Sequence, residues 1–127
     1  MKQEPEVDRS RLEPIEKWEV QMRKGCLELA ILASLWSGRL YGLEILRRLA
    51  DGADLLVPEG TVYPLLNRLK LGGLLESEWV EAEAGHPRKY YRLTPPGRRH
   101  VLRMTRFWAS FSKNPDGLLE PLKKGER

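Results

Sequence analysis

From residue 11 the chain mixes apolar and charged positions in a helical rhythm. Leu12, Ile15, Val20 and Met22 sit among charges with Trp18 between them, and Pro14 falls where a first turn tolerates proline. The spacing predicts a helix over 11–23, ended or hinged by Gly25. Apolar residues then recur at 27, 31 and 35 and at 30 and 33. They predict a second helix over 26–36, buried on most sides and closed by Ser37-Gly38. A third helix, from about Tyr41 to Leu49, is expected to bury Leu43, Leu46 and Leu49 or Ala50, with Arg47 and Arg48 outside; Asp51-Gly52 stops it. Pro58-Glu59-Gly60-Thr61 opens a fourth. Its apolar residues Val62, Leu65, Leu66 and Leu69 follow i, i+3, i+4, i+7. Pro64 is early enough to weaken one hydrogen bond without breaking the helix, and Gly72-Gly73 ends it.

The period then drops to two. Leu75, Ser77, Trp79 and Glu81 alternate with Glu76, Glu78 and Val80, the cluster 84–87 turns, and residues 88–93 return as an aromatic-rich strand. Thr94 is a good N-cap for the last helix, with Pro95 at its first position. Val101, Met104, Trp108 and Phe111 mark one face of that helix, which Asn114-Pro115 ends. Helices followed at once by a two-stranded hairpin define a winged helix-turn-helix, mainly α with a small β-hairpin. The expected division is a tail at 1–10, an N-terminal dimerisation helix at 11–24, a winged-helix domain at 25–94, a C-terminal dimerisation helix at 95–114 and a tail at 115–127.

Composition narrows the class. The chain has 127 residues, 41% of them hydrophobic, enough for one domain with a real core. The longest apolar run, 27–36, is too short to span a membrane, and the polar, acidic start at 1–8 reads against a secretory signal. One cysteine, Cys26, excludes a disulfide framework, and two histidines fourteen residues apart make a metal site unexpected. The expectation is a cytoplasmic protein with no cofactor. Charge matters by placement. Residues 25–87 hold five basic and nine acidic groups, whereas 88–106 hold seven basic groups and no acid. The basic block reads either as a solvated helix face or as a phosphate-contacting patch. No nucleophile–base pair or phosphate loop is visible, so an enzyme is not expected.

Several blocks then fall in a characteristic order: Leu40-Tyr41-Gly42-Leu43-Glu44-Ile45, Glu59-Gly60-Thr61-Val62-Tyr63-Pro64, Gly73-Leu74-Leu75, and Arg88-Lys89-Tyr90-Tyr91-Arg92-Leu93-Thr94-Pro95. This series, over roughly 25–100, resembles the PadR family of winged-helix transcriptional regulators. The resemblance implies a DNA-binding repressor, dimeric through its terminal helices and often released from its operator by a small molecule. The helix before Gly25 is longer than in many members, and the C-terminal part is short.

With Val62, Leu65, Leu66 and Leu69 inward, the fourth helix presents Thr61, Tyr63, Asn67, Arg68 and Lys70 to DNA. The plain alternatives are a Tyr63 ring packed on the wing and a merely solvated Asn67. His86, Arg88 and Lys89 lie at or beside the wing tip, where a narrow groove attracts cations. Alternation sends Tyr91 and Leu93 inward and leaves Arg92 to bind DNA or pair with Glu76 or Glu78. Trp18, Val101, Met104, Trp108 and Phe111 would form an exposed apolar patch on a monomer and are assigned to a homodimer seam. Phe107, Trp108 and Phe111 could wall a site for a small aromatic effector, or simply pack. Cys26 is read as a small buried hydrophobe. The partners expected are a double-stranded operator and a second copy of the chain. The alternative is a winged-helix protein-interaction module that never touches DNA, favoured by the acidic balance of 25–87.

Overall fold

The computed structural model describes residues 13–53, 55, 57–82, 85–113 and 116–125. The expected tail at 1–10 and the start of the first helix lie outside the described residues. The elements run α1 (Pro14–Ser34), β1 (Leu40–Tyr41), α2 (Gly42–Ala53), α3 (Glu59–Leu71), β2 (Leu75–Glu81), β3 (Pro87–Leu93), α4 (Pro95–Phe111) and α5 (Asp116–Gly125). The three strands form one antiparallel sheet in the order β1-β3-β2. It is a winged helix-turn-helix fold, as expected, with more sheet than the hairpin alone.

Four features differ from the sequence expectation. Gly25 does not end a helix: α1 runs unbroken through it. A single glycine in a helix costs only about 1 kcal/mol, and Leu27, Ile31 and Leu32 are buried just beyond it. The division between 11–24 and 25–94 therefore cuts through one rod about 31 Å long. Its second half is core; its first half extends outward with Ile15, Trp18 and Met22 exposed.

The second difference is β1. Leu40 pairs with Tyr91 and Tyr41 with Tyr90. Two residues carry no readable period, so only the tertiary pairing reveals the strand. It also sets the rotation of α2. The Tyr41 amide donates to Glu44 Oε1 at 3.1 Å, an N-terminal cap. The buried face of α2 becomes Gly42, Ile45 and Leu49, with Leu43 turned out. Third, residues 115–127, expected as a tail, contain α5. Its leucines at 118, 119 and 122 have helical spacing that Pro121 disguises. Fourth, Val101 is 3% exposed within the chain's own core and is not free for a dimer seam. It sits one turn before the region where α4 leaves the core.

One core joins all the helices of the motif to the sheet. Ile31, Leu32 and Leu35 from the α1 end meet Ile45 and Leu49 of α2, Val62, Leu66 and Leu69 of α3, and Leu75, Tyr91 and Leu93 of the sheet. The turn after α3 is fastened to the start of α4. Gly73 takes φ +80°, which glycine adopts at little cost. Thr94 donates its hydroxyl to the Gly73 carbonyl at 2.6 Å and accepts from the Gly97 amide at 3.0 Å, while its own amide donates to Leu74 O at 3.1 Å. Gly97 packs so closely on this turn that an added Cβ would overlap the Leu74 carbonyl. Backbone cannot yield as a flexible side chain can. Gly97→Ala should therefore lower stability by about 3 kcal/mol, read as a shift of the urea midpoint at constant slope. A midpoint within error of the parent would mean that α4 can slide off the turn freely.

Candidate nucleic-acid interface

α3 is amphipathic for a simple reason: its inward residues Val62, Leu66 and Leu69 are fully engaged by the core. The opposite face must then lie in solvent. It carries Thr61, Asn67, Arg68 and Lys70, all exposed, with no acid after Glu59. Leu65, expected inside, is only half-buried. A hydroxyl, an amide and two cations on one exposed helical face can bond both phosphates and base edges.

Tyr63 behaves differently from its neighbours. Its ring lies against the Cα of Gly42, where any Cβ would overlap the phenol. Burial raises its pKa, with Glu59 adding to the effect. The ring thus packs on the start of α2, within electrostatic reach of Tyr91 in the wing strand β3, and stays partly exposed. Gly42 is the residue that lets α2 and α3 approach this closely.

The wing is β2 and β3 paired in register from Leu75↔Leu93 to Glu81↔Pro87. Gly85 at the turn has φ +81°. His86 is exposed just before β3, as expected of a tip residue. The register puts Lys89 and Tyr91 on the inward face and Arg88, Tyr90 and Arg92 on the outward one. Lys89 is half-buried, its Nζ 5.8 Å from the Trp79 ring centre and 5.7 Å from that of Tyr91. Arg88 is exposed, and its guanidinium lies 4.6 Å over the Tyr41 ring. Arg92 pairs with Glu76 at 2.7 Å, so the cross-strand alternative is the one observed. Tyr41 and Trp79 join the expected site residues here. Trp79 is 68% exposed on the wing, and its place in the alternation was its only signal.

The residues expected at a dimer seam fall in two places. Gln21, Met22, Cys26 and Leu29 of α1 face His100, Arg103, Met104, Phe107, Trp108 and Phe111 of α4 across a cavity of about 640 Å³. Phe107 and Phe111 stack at 5.5 Å with 13° between their planes. The structure thus brings Met104, Phe107, Trp108 and Phe111 together. Trp18 is exposed further along α1, outside this lining. Cys26 is half-buried at the cavity wall. Among the described residues no cluster of His, Cys, Asp or Glu could hold a metal, and no helix is long and apolar enough to cross a membrane.

Fold and site together define a winged-helix DNA-binding protein. Residues 31–103 match the Transcriptional regulator PadR-like family. A PadR-like transcription factor from Bacteroides fragilis is 40% identical, over 80% of this chain and 97% of that one, with a TM-score of 0.66. A PadR family regulator from Eggerthella lenta is 33% identical, over 84% and 92%, with a TM-score of 0.75. A transcriptional regulator of Mycobacterium tuberculosis is 33% identical over 78 residues, 61% of this chain and 71% of that one. The chain belongs to the PadR family. It is a DNA-binding transcriptional regulator and not an enzyme.

The two tyrosines give the fold a pH signature. Burial raises the Tyr91 phenol above its ordinary value of 10.0, and Tyr63 nearby raises it further. The folded state keeps a proton that the unfolded chain releases. This stabilisation is complete below about pH 10 and is lost as the pH climbs from there through the raised values. Urea midpoints should therefore fall as the pH rises above about 10, and Tyr91→Phe should flatten that limb. An equally steep limb in Tyr91→Phe would assign the loss to other groups.

Proposed function

We propose that this regulator is a repressor that binds a pseudo-palindromic operator as a homodimer. The supporting observation is the outward face of α3, with Thr61, Asn67, Arg68 and Lys70 in solvent beside a wing that carries His86, Arg88 and Lys89. In this reading Asn67 and Thr61 reach base edges, while Arg68, Lys70 and the wing cations meet phosphates. Tyr63 contributes through its exposed edge and by fixing α3 on α2. A two-fold dimer places two α3 helices in successive major grooves, about 34 Å apart, which demands a site of matching symmetry.

The dimer seam is assigned to the outer half of α1 and the outer half of α4. Trp18 and Met22 on one, and Phe107, Trp108 and Phe111 on the other, are exposed in the single chain. Apolar surface of this kind on adjacent helices is what a second copy covers. Met104 belongs to the seam by its lining position, whereas Val101 does not. The cavity beside Trp108 is the place for a flat apolar effector, with Phe107 and Phe111 as walls. Such a ligand releases DNA only as far as it prefers the arrangement that spaces the two α3 helices wrongly.

Operator binding should weaken steeply with salt, because a dimer using Arg68, Lys70, Arg88 and Lys89 neutralises roughly six to eight phosphates. Asn67→Ala should lose selectivity for the operator over random duplex, whereas Lys70→Ala should weaken both alike. A gel shift on the chain's own upstream DNA across a salt series checks this, and affinity flat in salt would sink the DNA-contact scheme.

The seam is checked by sedimentation. Trp108→Arg should give monomers at micromolar concentration and lose tight operator binding. Trp108→Phe should remain dimeric but lose the emission change on titration with planar aromatic compounds. A dimeric Trp108→Arg would move the seam elsewhere, and emission unchanged in the parent would remove the effector site from Trp108.

A further inference from the structure

The outward face of the sheet carries three arginines, and their partners differ. Arg39 Nη1 donates to Glu78 Oε1 at 2.7 Å. Arg92 Nε donates to Glu76 Oε1, also at 2.7 Å. Arg88 has no ion pair among the described residues; its cross-strand partner is Val80. What it has is a ring. Its guanidinium sits 4.6 Å from the centre of Tyr41. Tyr41 stands edge-on to Tyr90, with ring centres 5.5 Å apart and 75° between the planes. Arg39 covers the far side of the cluster, 4.7 Å over Tyr90.

A carboxylate and an aromatic face hold a cation in different ways. The carboxylate cancels its charge, and a phosphate arriving later must compete with it. The ring attracts through its quadrupole and leaves the full charge in place. A guanidinium held by a ring rather than by a carboxylate also keeps its N–H donors free for a bidentate contact. Holding a long side chain before binding lowers the cost of ordering it on binding.

We propose that Tyr41 is the positioning residue for Arg88, and that Arg88, rather than Arg39 or Arg92, is the cation of this face that meets a DNA phosphate. The proposal rests on the DNA-binding reading above and adds to it a residue outside the recognition helix and the wing hairpin. Tyr41 is well placed for this work. Its backbone is fixed by pairing with Tyr90 and by donation to Glu44. The next residue is Gly42, against which the Tyr63 ring of α3 packs. One dipeptide therefore registers both the wing cation and the recognition helix to the start of α2.

The test is a salt series of anisotropy titrations with a labelled random-sequence duplex, on the full chain and its variants. Arg88→Ala should weaken binding about tenfold at low salt and lower the slope of log affinity against log salt by about 0.9 per bound subunit. Tyr41→Leu should weaken binding three- to tenfold and lower the slope in the same sense, while Tyr41→Phe, which keeps the ring, should match the parent. The double variant Tyr41→Leu with Arg88→Ala should be no weaker than Arg88→Ala alone. Arg92→Gln should leave the slope unchanged.

A purely structural Tyr41 would weaken binding without moving the slope, and that result overturns the proposal. So does additivity in the double variant, or a Tyr41→Phe as weak as Tyr41→Leu. If Tyr41→Leu does not fold, Arg88→Lys decides: it keeps the charge but loses the guanidinium that sits over the ring. It should retain the slope at about threefold lower affinity, and parental affinity would overturn the proposal. A parent chain that binds no duplex at any salt fails the DNA reading itself. A parent that binds with Arg88→Ala unaffected fails only this assignment.

Discussion

The middle strand is the constraint on which the molecule depends. β3 is paired along its whole length to β2 and, at Tyr90 and Tyr91, also to β1, so its pleat is fixed. Tyr91, two residues before its end, is buried in the core and lies within electrostatic reach of Tyr63. Because side chains alternate with period two, burying Tyr91 and Leu93 forces Arg88, Tyr90 and Arg92 to the other face. A slip of one residue would bury three polar or charged groups and expose the core. The strands of the wing therefore continue the sheet that closes the core. The distance between its cations and the α3 surface follows from the same pairing.

Most of what is local was legible in the sequence. The α3 stripe, the Thr94 cap with its following prolines and the inward Tyr91 and Leu93 all follow from spacing within a few residues. The failures are of another kind. Gly25 reads as a stop because glycine often is one, yet its small cost is outweighed by apolar residues that continue the helical spacing across it. Leu40 and Tyr41 cannot show a period in two residues. Leu43 and Ile45 are equally good candidates for the α2 core until β1 fixes the rotation. Val101 shares a stripe with Trp108, and only the point at which α4 leaves the core separates them. The site divides in the same way. Its inventory of cations could be read from the chain, but which arginine is neutralised depends on cross-strand register and on a strand 47 residues earlier than Arg88.

The acidic balance of residues 25–87 loses force as an argument against DNA once four of its nine acids are placed. Glu76 and Glu78 are each held by an arginine on the outward sheet face. Glu44 caps α2 through the Tyr41 amide. Glu59 sits in the first turn of α3, where the helix dipole favours a negative charge. Beyond that turn the exposed face of α3 is free of acid. Net charge by segment is a poor guide to a surface field, because neighbours in sequence are spread over several faces.

The unbroken α1 gives the groove a mechanical connection that two separate helices would lack. Cys26 and Leu29 line the cavity, while Leu27 between them and Ile31 and Leu32 just beyond lie in the core. A continuous helix transmits a tilt at one end to the other, and close-packed side chains cannot absorb it by small deformations. The core half of α1 packs against α2, whose first residue receives the Tyr63 ring of α3. The path from groove to recognition helix thus runs through two helix contacts and one glycine, with no flexible linker along it. In a dimer joined at the outer halves of α1 and α4, a change in how the two rods cross would move each α3 as part of its whole core. Spacing between the two recognition helices, rather than any rearrangement within one, is then the quantity that a ligand in the groove can alter.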